Sequence, residues 1–509
     1  MATEKHYLAL DLGAESGRAI LGVLDNQKLE ISEEHRFLTG PESLPTRYSE
    51  NISGQAGSDC SLVWDFIRFW HEIKEGIRMA SNKGKLEAVG VDTWGVDFSL
   101  LDKNGMLISF PYHYRDSRTD GMLEEAFSRL GKKEIYDITG IQFMPLNTLY
   151  QLLAMSSGES PLLEIADKFL MVPDLINYWL TGRAVAEFTE STTSQIMDAR
   201  KGKWSEEIIS AMNFPQHIFP EIVPPGTVLG PLRRSLSEEL GCEAIVVAPA
   251  THDTGAAVSA VPAEGSDFIW ISSGTWSIVG MNTPEPVINE QSYRNNLTNE
   301  GGLNGTFRFS KNVMGLWVVQ QCRMQWQREG RDYSYTELTN FARKAPAMKS
   351  FVDPDYSEFL KPGEMVGKVK EYCEITGQPV PETEGEVIRA VLQGLALRYR
   401  YVIENLEDVS GKKTSTIHIV GGGTKNTLLN QLTADALGRK VITGPVEATA
   451  TGNLLVQAMA MGDIGNWEEG IDVIRNSFAI EEYEPSDQKP WDEAYELFKK
   501  NLEKIKLAF

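Results

Sequence analysis

Positive charge is scarce in this sequence. Its 509 residues include 49 Lys and Arg against 71 Asp and Glu, which gives a formal net charge of −22. Proteins that bind nucleic acids or anionic membrane surfaces rely on clustered Lys and Arg side chains. The composition therefore predicts neither a nucleic-acid partner nor a membrane partner. An anionic ligand would have to be met by backbone amides, by a metal ion or by a few well-placed cations.

Cysteines and long apolar runs are scarce as well. No stretch of about 18 apolar residues occurs, so the sequence predicts no membrane-spanning helix. The first residues lead straight into an apolar run without the pattern of a signal peptide, and we therefore expect a cytoplasmic protein. The four cysteines lack the spacing of metal ligands, and we interpret them as reduced thiols: Cys60, Cys242, Cys322 and Cys373.

The length and the pattern of apolar residues predict the class of fold. A chain of 509 residues exceeds a single core and suggests two or more domains. Short apolar runs, such as 86–91 and 245–248, alternate with helical patterns, such as 62–81 and 386–406. This alternation is typical of an α/β protein. The stretch 40–61 carries Pro, Gly and Ser and is predicted to be a loop.

Three glycine-rich segments each follow an apolar run. The first, Gly13-Ala-Glu-Ser-Gly-Arg18, has neither the Gly-Lys-Ser/Thr ending of a Walker loop nor the G-x-G-x-x-G dinucleotide pattern. It predicts strand, turn, strand, and Ser273-Gly274 repeats the scheme, which suggests an internal duplication. The third, Gly421 to Gly423, precedes a helix whose amides could meet a ligand. The alternative is a plain turn capped by Thr424 or Asn426.

Several aspartates stand where an apolar run meets a turn, which is where α/β sheets meet ligands: Asp11, Asp92, Asp97 and Asp253. Phosphoryl transfer to an alcohol needs one carboxylate to accept the hydroxyl proton and another to help hold Mg²⁺. Aspartates from separate segments meet that requirement. Asp253 could equally be a helix cap, and its spacing alone leaves both interpretations open.

The segment Asp92-Thr-Trp-Gly-Val-Asp97 has the residue types of a sugar site. Trp94 offers an apolar face, Gly95 permits close approach, and the acids can accept hydrogen bonds from hydroxyl groups. A polar turn beside a core tryptophan is the alternative. The segment Tyr114-Arg-Asp-Ser-Arg118 is weaker evidence, because Arg and Asp this close in sequence more often form surface ion pairs.

Taken together, these segments resemble the FGGY carbohydrate kinases. The motifs follow one another in order along the chain: Asp11 to Arg18, Asp92 to Phe98, Tyr114 to Arg118, His252 to Thr254, Ser272 to Ser277 and Val420 to Gly423. A second set is similar to the family members that phosphorylate L-rhamnulose: Gly140 to Phe143, Asn147 to Leu152, Thr298 to Gly302, Lys311 to Trp317 and Gly444 to Ala448.

The resemblance implies a fold and a reaction. The fold would be two actin-like, ribonuclease-H-like domains, with ATP and sugar meeting in a central cleft. Residues 1–260 would form the sugar-binding side and carry the phosphate hairpin, and 261–509 would form the nucleotide-binding side. The reaction would be the ATP-dependent conversion of L-rhamnulose to L-rhamnulose 1-phosphate, by a monomer or a small homo-oligomer. An L-fuculokinase or xylulokinase is the alternative within the family. An actin-like phosphatase or a nucleotide-switched binding protein is the alternative outside it.

The resemblance also implies roles for individual residues. Asp253 would be the base that accepts the proton of the sugar hydroxyl, and Asp11 would help to position Mg²⁺. The sugar would be contacted by Gly95, His252, Asp253 and Thr254, with Trp94 and Asp97 as further candidates. The hairpin residues Ala14, Glu15, Ser16, Gly17 and Arg18 would bind the phosphates of ATP. The rest of the nucleotide would be contacted by Thr275, Asn312, Gln320 and Gly422.

Overall fold

The computed structural model describes residues 4–45, 60–158, 161–265 and 267–506. The strands are β1 Lys5–Leu12, β2 Ser16–Asp25, β3 Lys28–Leu38, β4 Glu42–Pro45, β5 Cys60–Val63, β6 Leu86–Thr93, β7 Phe98–Leu101, β8 Lys168–Met171, β9 Ala186–Glu187, β10 Met197–Asp198, β11 Lys203–Trp204, β12 Ile222–Val223, β13 Thr227–Pro231, β14 Ile245–Ala248, β15 Phe268–Ser273, β16 Trp276–Thr283, β17 Thr298–Gly301, β18 Phe307–Met314, β19 Thr416–Val420, β20 Val441–Thr443 and β21 Glu481–Tyr483.

The helices alternate with these strands along most of the chain. They are α1 Phe66–Ser81, α2 Met122–Arg129, α3 Lys132–Thr139, α4 Thr148–Ser157, α5 Leu162–Ile165, α6 Val172–Thr181, α7 Phe188–Thr193, α8 Glu206–Ala211, α9 Arg234–Leu240, α10 Asp253–Ser259, α11 Glu290–Arg294, α12 Trp317–Arg328, α13 Tyr335–Lys344, α14 Met365–Thr376, α15 Glu384–Ser410, α16 Thr427–Leu437, α17 Ala448–Ala460, α18 Trp467–Ser477 and α19 Lys489–Leu502. The predicted α/β class is confirmed.

The chain divides into two compact units. The first comprises Met1–Ala260, Asn282–Phe309 and Ala448–Ser477, and the second comprises Val261–Met281, Ser310–Glu447 and Phe478–Phe509. Packing therefore assigns two segments from the C-terminal half of the chain to the first unit. The division into 1–260 and 261–509 by function stays a prediction.

The first unit is built on a six-stranded sheet in the order β13-β14-β6-β1-β2-β3. Strands β1 and β2 form an antiparallel hairpin, whereas β1 and β6 run parallel. The central strands β1 and β6 are buried along most of their length, and α1 covers one face of the sheet with side chains such as Phe66, Phe69 and Ile73. The hairpin turn and the carboxyl end of β6 consequently lie at the same end of the sheet, as Asp11 pairs with Asp92.

The second unit repeats this scheme. It is built on a sheet of seven strands in the order β17-β18-β16-β15-β19-β20-β21, in which β15 and β16 are antiparallel and β15 and β19 are parallel. The order and direction of β16, β15, β19 and β20 match those of β2, β1, β6 and β14 in the first unit. The internal duplication predicted from the two Ser-Gly turns is therefore visible in the strand topology. The helix α15 has a buried face along most of its length, as its apolar pattern predicts.

The structure corrects one local prediction and agrees with others. The predicted loop 40–61 contains the strand β4 and the start of β5, which pair with each other, so the loop prediction is wrong at these residues, while 46–59 lie outside the described residues. Among the described helices none is long and apolar enough to cross a membrane. None of the four cysteines forms a disulfide, as expected, and the thiols of Cys242, Cys322 and Cys373 are buried.

Candidate active site

The turn between β1 and β2 forms the tip of the first hairpin. The amide of Gly13 donates to the carbonyl of Ser16 at 3.0 Å, and the hydroxyl of Thr39 donates to the carbonyl of Gly13 at 2.6 Å. Asp11 and Arg18 face each other across the hairpin and form an ion pair. The predicted phosphate-loop residues thus occupy one tight, braced turn.

Gly17 is required by packing in this hairpin. A Cβ atom at this position would lie 2.3 Å from the ring of Phe37 on the neighbouring strand β3. Such a distance is far inside van der Waals contact, so any side chain at position 17 would displace the ring. The glycine is explained by the aromatic neighbour without reference to a ligand.

Asp11 and Asp92 stand side by side at the ends of the parallel strands β1 and β6. Asp92 is fully buried, and its Oδ2 accepts a hydrogen bond of 2.5 Å from Asn453. Burial, followed by the charge of Asp11, raises the pKa of Asp92 well above its usual range. Arg18 already pairs with Asp11, whereas Oδ1 of Asp92 is buried without a hydrogen-bond partner, so this end of the sheet can accommodate a further cation.

This pair of oxygen donors fits Mg²⁺ bound to a nucleotide. Within the described ranges no group of three or more His, Cys, Asp or Glu side chains is placed to hold a metal ion on its own. Magnesium that accompanies a nucleotide keeps several waters and takes one or two carboxylates together with phosphate oxygens. Asp11 is therefore suited to assist in holding the ion, with Asp92 beside it.

The segment after β6 is held by Asp97. Its carboxylate is fully buried and accepts hydrogen bonds from the indoles of Trp64 at 2.6 Å and Trp94 at 3.0 Å, and from Gln151 at 2.8 Å. The amide of Tyr114 adds a fourth at 3.2 Å. Burial raises the pKa of Asp97 to about 6 despite these donors. The structure thus gives Asp97 a clear part in orienting Trp94, while direct contact of either residue with a sugar stays a prediction.

Gly95, His252 and Asp253 come together at the end of β6. The amide of Thr93 donates to the carbonyl of Thr251 at 2.8 Å, which ties the two segments together. A Cβ atom on Gly95 would lie 3.2 Å from Nε2 of His252. The predicted sugar-binding residues are therefore neighbours, although they are more than 150 residues apart in the sequence.

Asp253 is the first residue of α10, and the cap position is occupied by His252. The interpretation of Asp253 as a helix cap is therefore wrong. Its side chain is 34% exposed and lies 3.4 Å from Nε2 of His252, while the hydroxyl of Thr254 donates to its Oδ1 at 3.1 Å. Asp253 is thus an accessible carboxylate, in contrast to the buried Asp92 and Asp97.

Two charged residues beside His252 were not predicted as site residues, although Glu300 lies in the motif Thr298 to Gly302. Arg308 on β18 is 1% exposed, and its Nη2 donates to Nδ1 of His252 at 2.8 Å. Glu300 on β17 lies 3.2 Å from the same Nη2. Burial alone would raise the pKa of Glu300, but the nearby charge of Arg308 is the largest influence that brings it below its usual value. A charged residue within the otherwise apolar run Phe307-Arg-Phe309 was the available sequence signal.

Two further carboxylates behind His252 were also missed. Glu187 is fully buried, and its carboxylate accepts hydrogen bonds from both the amide and the hydroxyl of Thr251 and of Thr189. The hydroxyl of Thr189 in turn accepts from the amide of His252 at 3.2 Å. Glu187 therefore fixes the backbone that leads to Asp253. Glu190 is buried nearby, and burial followed by the charges of Asp174 and Asp253 raises its pKa well above its usual range.

The structure does not place Arg118 in a surface ion pair, the interpretation that the sequence favoured for its segment. Its side chain is only 13% exposed, donates to Gln151 at 2.6 Å and lies 3.9 Å over the ring of Tyr112. Gln151 also donates to Asp97. Arg118 is therefore part of the buried support of the Trp94 to Asp97 segment, and a surface ion pair is not its role.

The second hairpin and the triple-glycine loop meet in the second unit. Nε2 of Gln320 donates to the hydroxyl of Thr275 at 3.0 Å, so two predicted nucleotide contacts touch. A Cβ atom on Gly423 would lie 2.0 Å from Oγ of Ser273, whereas one on Gly422 would meet nothing within 4 Å. The loop is thus packed on the hairpin through Gly423 and is open at Gly422.

Asn312 and Asn426 are two further residues of the second unit that the sequence analysis named. Asn312 lies on β18, next to β16 of the second hairpin. Asn426 caps α16, accepting from the amide of Leu429 at 3.0 Å. The sequence alternative of a capped turn after the triple glycine is therefore confirmed, and it leaves Gly422 open to a ligand.

Comparison with protein families covers nearly the whole chain. Residues 6–259 match the model of the FGGY family of carbohydrate kinases, N-terminal domain. Residues 269–461 match the C-terminal domain of the same family. Both halves therefore match domains of one family, in the order in which the motifs occur.

Curated relatives match the chain over nearly its full length. The chain is 40% identical to the rhamnulokinase of Bacteroides thetaiotaomicron over 498 residues, which are 97% of this chain and 99% of the relative. It is 42% identical to the rhamnulokinase of Oceanobacillus iheyensis over 477 residues, 94% and 97% of the two chains. It is 38% identical to that of Bacillus subtilis over 483 residues, 94% and 96% of the two chains.

Solved structures share the fold at lower identity. Xylulose kinase from Lactobacillus acidophilus superposes with a TM-score of 0.78 at 18% identity, covering 98% of this chain and 97% of that one. Plasmodium falciparum glycerol kinase with ADP gives 0.77 at 14% identity, covering 99% of each. With both domain models matched and full-length relatives at about 40% identity, the chain belongs to the FGGY family of carbohydrate kinases.

Proposed function

We propose that this kinase transfers the γ-phosphoryl group of ATP to the primary hydroxyl group of L-rhamnulose and releases L-rhamnulose 1-phosphate. The observation that carries the reaction is Asp253, an accessible carboxylate set among buried partners beside His252 and Gly95. The choice of sugar rests on the full-length relatives, which are rhamnulokinases.

Asp253 acts as the base in this proposal. The sugar hydroxyl oxygen forms a bond to the γ-phosphorus, the bond from that phosphorus to the bridging β,γ-oxygen breaks, and ADP leaves. The hydroxyl proton passes to the carboxylate of Asp253. Gly95, His252 and Thr254 contact the sugar and hold the hydroxyl group in line. Trp94, oriented by Asp97, supplies an apolar wall.

Backbone amides hold the phosphates of the nucleotide in this proposal. The turn from Ala14 to Arg18 presents amides to the phosphates, and Asp11 assists in holding Mg²⁺, which offsets phosphate charge in a protein that is already acidic. Support comes from the tight hairpin geometry and from the exposed face of Gly422. In the second unit the adenosine part would contact Thr275, Asn312, Gln320 and Gly422. In functional terms, 1–260 would serve the sugar and carry the phosphate hairpin, and 261–509 would bind the rest of the nucleotide.

A panel of ketoses tests the substrate. The purified full chain is given MgATP and either L-rhamnulose, L-fuculose, D-xylulose or no sugar, and ADP and inorganic phosphate are both measured. We expect kcat/KM to be highest for L-rhamnulose by at least about 10-fold, since pocket contacts typically discriminate on that scale. Phosphorus NMR of the product should show a phosphomonoester at C1.

The same assay separates the alternatives. Preference for L-fuculose or D-xylulose would replace the substrate but keep the kinase. Phosphate release that is as fast without sugar would favour a phosphatase, and nucleotide binding without any turnover would favour a nucleotide-switched binding protein. The cytoplasmic location and the oligomeric state stay predictions.

A further inference from the structure

The imidazole of His252 is bracketed by charged groups on both sides. On the Nδ1 side, Nη2 of Arg308 lies at 2.8 Å and Oε2 of Glu300 at 3.4 Å. On the Nε2 side, Oδ1 of Asp253 lies at 3.4 Å. The ring is nearly buried, so these neighbours decide which nitrogen carries a proton.

Arg308 can only donate. A guanidinium has five N–H groups, no acceptor, and stays charged at any pH at which proteins fold. A contact of 2.8 Å between Nη2 and Nδ1 is therefore favourable only if Nδ1 is the unprotonated nitrogen of the ring. A proton on Nδ1 would set two N–H groups head to head.

Glu300 competes for the same nitrogen. A carboxylate 3.4 Å from Nδ1 could accept a proton from it, which would favour the opposite tautomer or an imidazolium ion. However, Glu300 also lies 3.2 Å from Nη2 of Arg308, which already satisfies part of its charge. The shorter contact to Arg308 and its fixed donor character favour an unprotonated Nδ1.

The position of Arg308 is itself fixed. Its Nε donates to the carbonyl of Gly301 at 2.7 Å, so the guanidinium is held by the backbone at one end and meets His252 at the other. The amide of Gly301 is held in turn by the hydroxyl of Thr192 at 2.8 Å. A group anchored in this way can orient the ring as well as select its tautomer.

We propose that Arg308 is a positioning residue that fixes His252 as the neutral tautomer with its proton on Nε2, and so presents an N–H donor to the sugar beside Asp253. This inference rests on the proposed function for the identity of the sugar. A neutral ring leaves the carboxylate of Asp253 a better proton acceptor than an adjacent imidazolium would. The donor can hold a sugar oxygen next to the reacting hydroxyl group.

The wild-type protein alone can refute the tautomer. The full chain is labelled with ¹⁵N-histidine, and long-range ¹H–¹⁵N correlation spectra are recorded near neutral pH. The chain has 7 histidines, and the signals of His252 are those lost in His252→Gln. We expect a protonated Nε2 and an unprotonated Nδ1. A proton on Nδ1, in either the other tautomer or the imidazolium, would overturn the inference.

Three variants show which neighbour sets the tautomer. Glu300→Gln keeps Arg308 and should leave Nδ1 unprotonated, whereas Arg308→Met should let Nδ1 gain a proton and donate to Glu300. Arg308→Lys keeps a donor and should restore the wild-type pattern. Because Arg308→Met leaves a buried carboxylate unpaired, the double variant Arg308→Met/Glu300→Gln is included in case the single variant does not fold. A ring that is unchanged in folded Arg308→Met, or in the double variant where only that one folds, would contradict the proposal.

Kinetics give the second readout. Arg308→Met should lower kcat/KM for the sugar about 10-fold, the effect of one hydrogen bond to the substrate, with KM for ATP unchanged. Arg294→Met is the matched control, since Arg294 also lies in the segment Asn282–Phe309 but its side chain is 73% exposed. An equal change of both KM values would indicate a general structural effect and would contradict a positioning role. If L-rhamnulose is not a substrate, the proposed function fails, while the spectra of the wild type and of the Arg308 variants still test the tautomer of His252 and its cause independently.

Discussion

Replacing Asp253 by Asn removes the proposed base with little disturbance of the fold. The amide has nearly the same shape, and its oxygen can still accept the hydrogen bond that the hydroxyl of Thr254 gives to Oδ1. The cap position of α10 belongs to His252, so no helix cap is lost. What disappears is the negative charge and the ability to take a proton from the sugar.

The structure separates the effect on activity from the effect on stability. Loss of a general base typically costs about 10² to 10⁴ in kcat, which corresponds to about 3 to 5 kcal/mol of transition-state free energy. A carboxylate in the first turn of a helix contributes only about 0.3 to 1 kcal/mol to stability through the helix dipole. Asp253 is 34% exposed, so the lower part of that range applies. Activity should fall by orders of magnitude while the free energy of unfolding hardly changes.

The assay measures kcat for L-rhamnulose, ATP affinity and urea unfolding on the same preparations. Glu206→Gln is the matched control, because Glu206 is an exposed carboxylate in the first turn of α8. That variant should lose the same small helix-dipole contribution and keep full activity. Turnover of Asp253→Asn within a few-fold of the wild type would refute the assignment of Asp253 as the base.

Four further outcomes are expected. Activity should depend strictly on a divalent cation and fall strongly in Asp11→Ala with the fold intact; full activity in excess chelator would contradict this. Gly17→Ala should lower the free energy of unfolding by about 1 to 3 kcal/mol, because its Cβ would strike the ring of Phe37, whereas Gly40→Ala, with open space around it, should not; equal unfolding midpoints would disprove the packing argument. ATP hydrolysis without sugar should be at least about 10²-fold slower than sugar phosphorylation, and a comparable rate would rule out discrimination by induced fit. Replacing all four cysteines (Cys60, Cys242, Cys322 and Cys373) by Ser should preserve catalysis under reducing and oxidising conditions alike. Inactivation would show that a cysteine has a role that the sequence did not reveal.

The sequence by itself determined the local structure and the family. The strand-turn-strand pattern at Gly13 to Arg18 and the strand-loop-helix pattern at Gly421 to Gly423 are encoded by neighbouring residues, because turns need particular residues at fixed positions. The strand at 245–248 and the helix at 386–406 follow from short apolar periods. The order of the motifs was sufficient to identify the FGGY family, which the family models confirm.

The site residues were predicted as separate motifs, and only the tertiary structure shows which of them meet. Gly95 lies against His252, and Thr275 touches Gln320, as the motifs suggested. Asp97 resembled a sugar ligand in sequence, yet its carboxylate is enclosed by four donors. No local pattern reports such enclosure, since the donors come from segments far apart in the chain.

Only the tertiary structure decided which segments belong to each compact unit and which side chains surround His252. The helix α17 packs in the first unit, where Asn453 donates to Asp92 across 361 residues of sequence. Arg308 and Glu300 reach His252 from strands that follow it by about 50 residues. Contacts of this kind depend on how the whole chain folds back on itself, and their energy comes from burial and charge in a shared core. Local residue patterns encode strands, turns and helices, but they do not encode which distant side chains a buried charge will find.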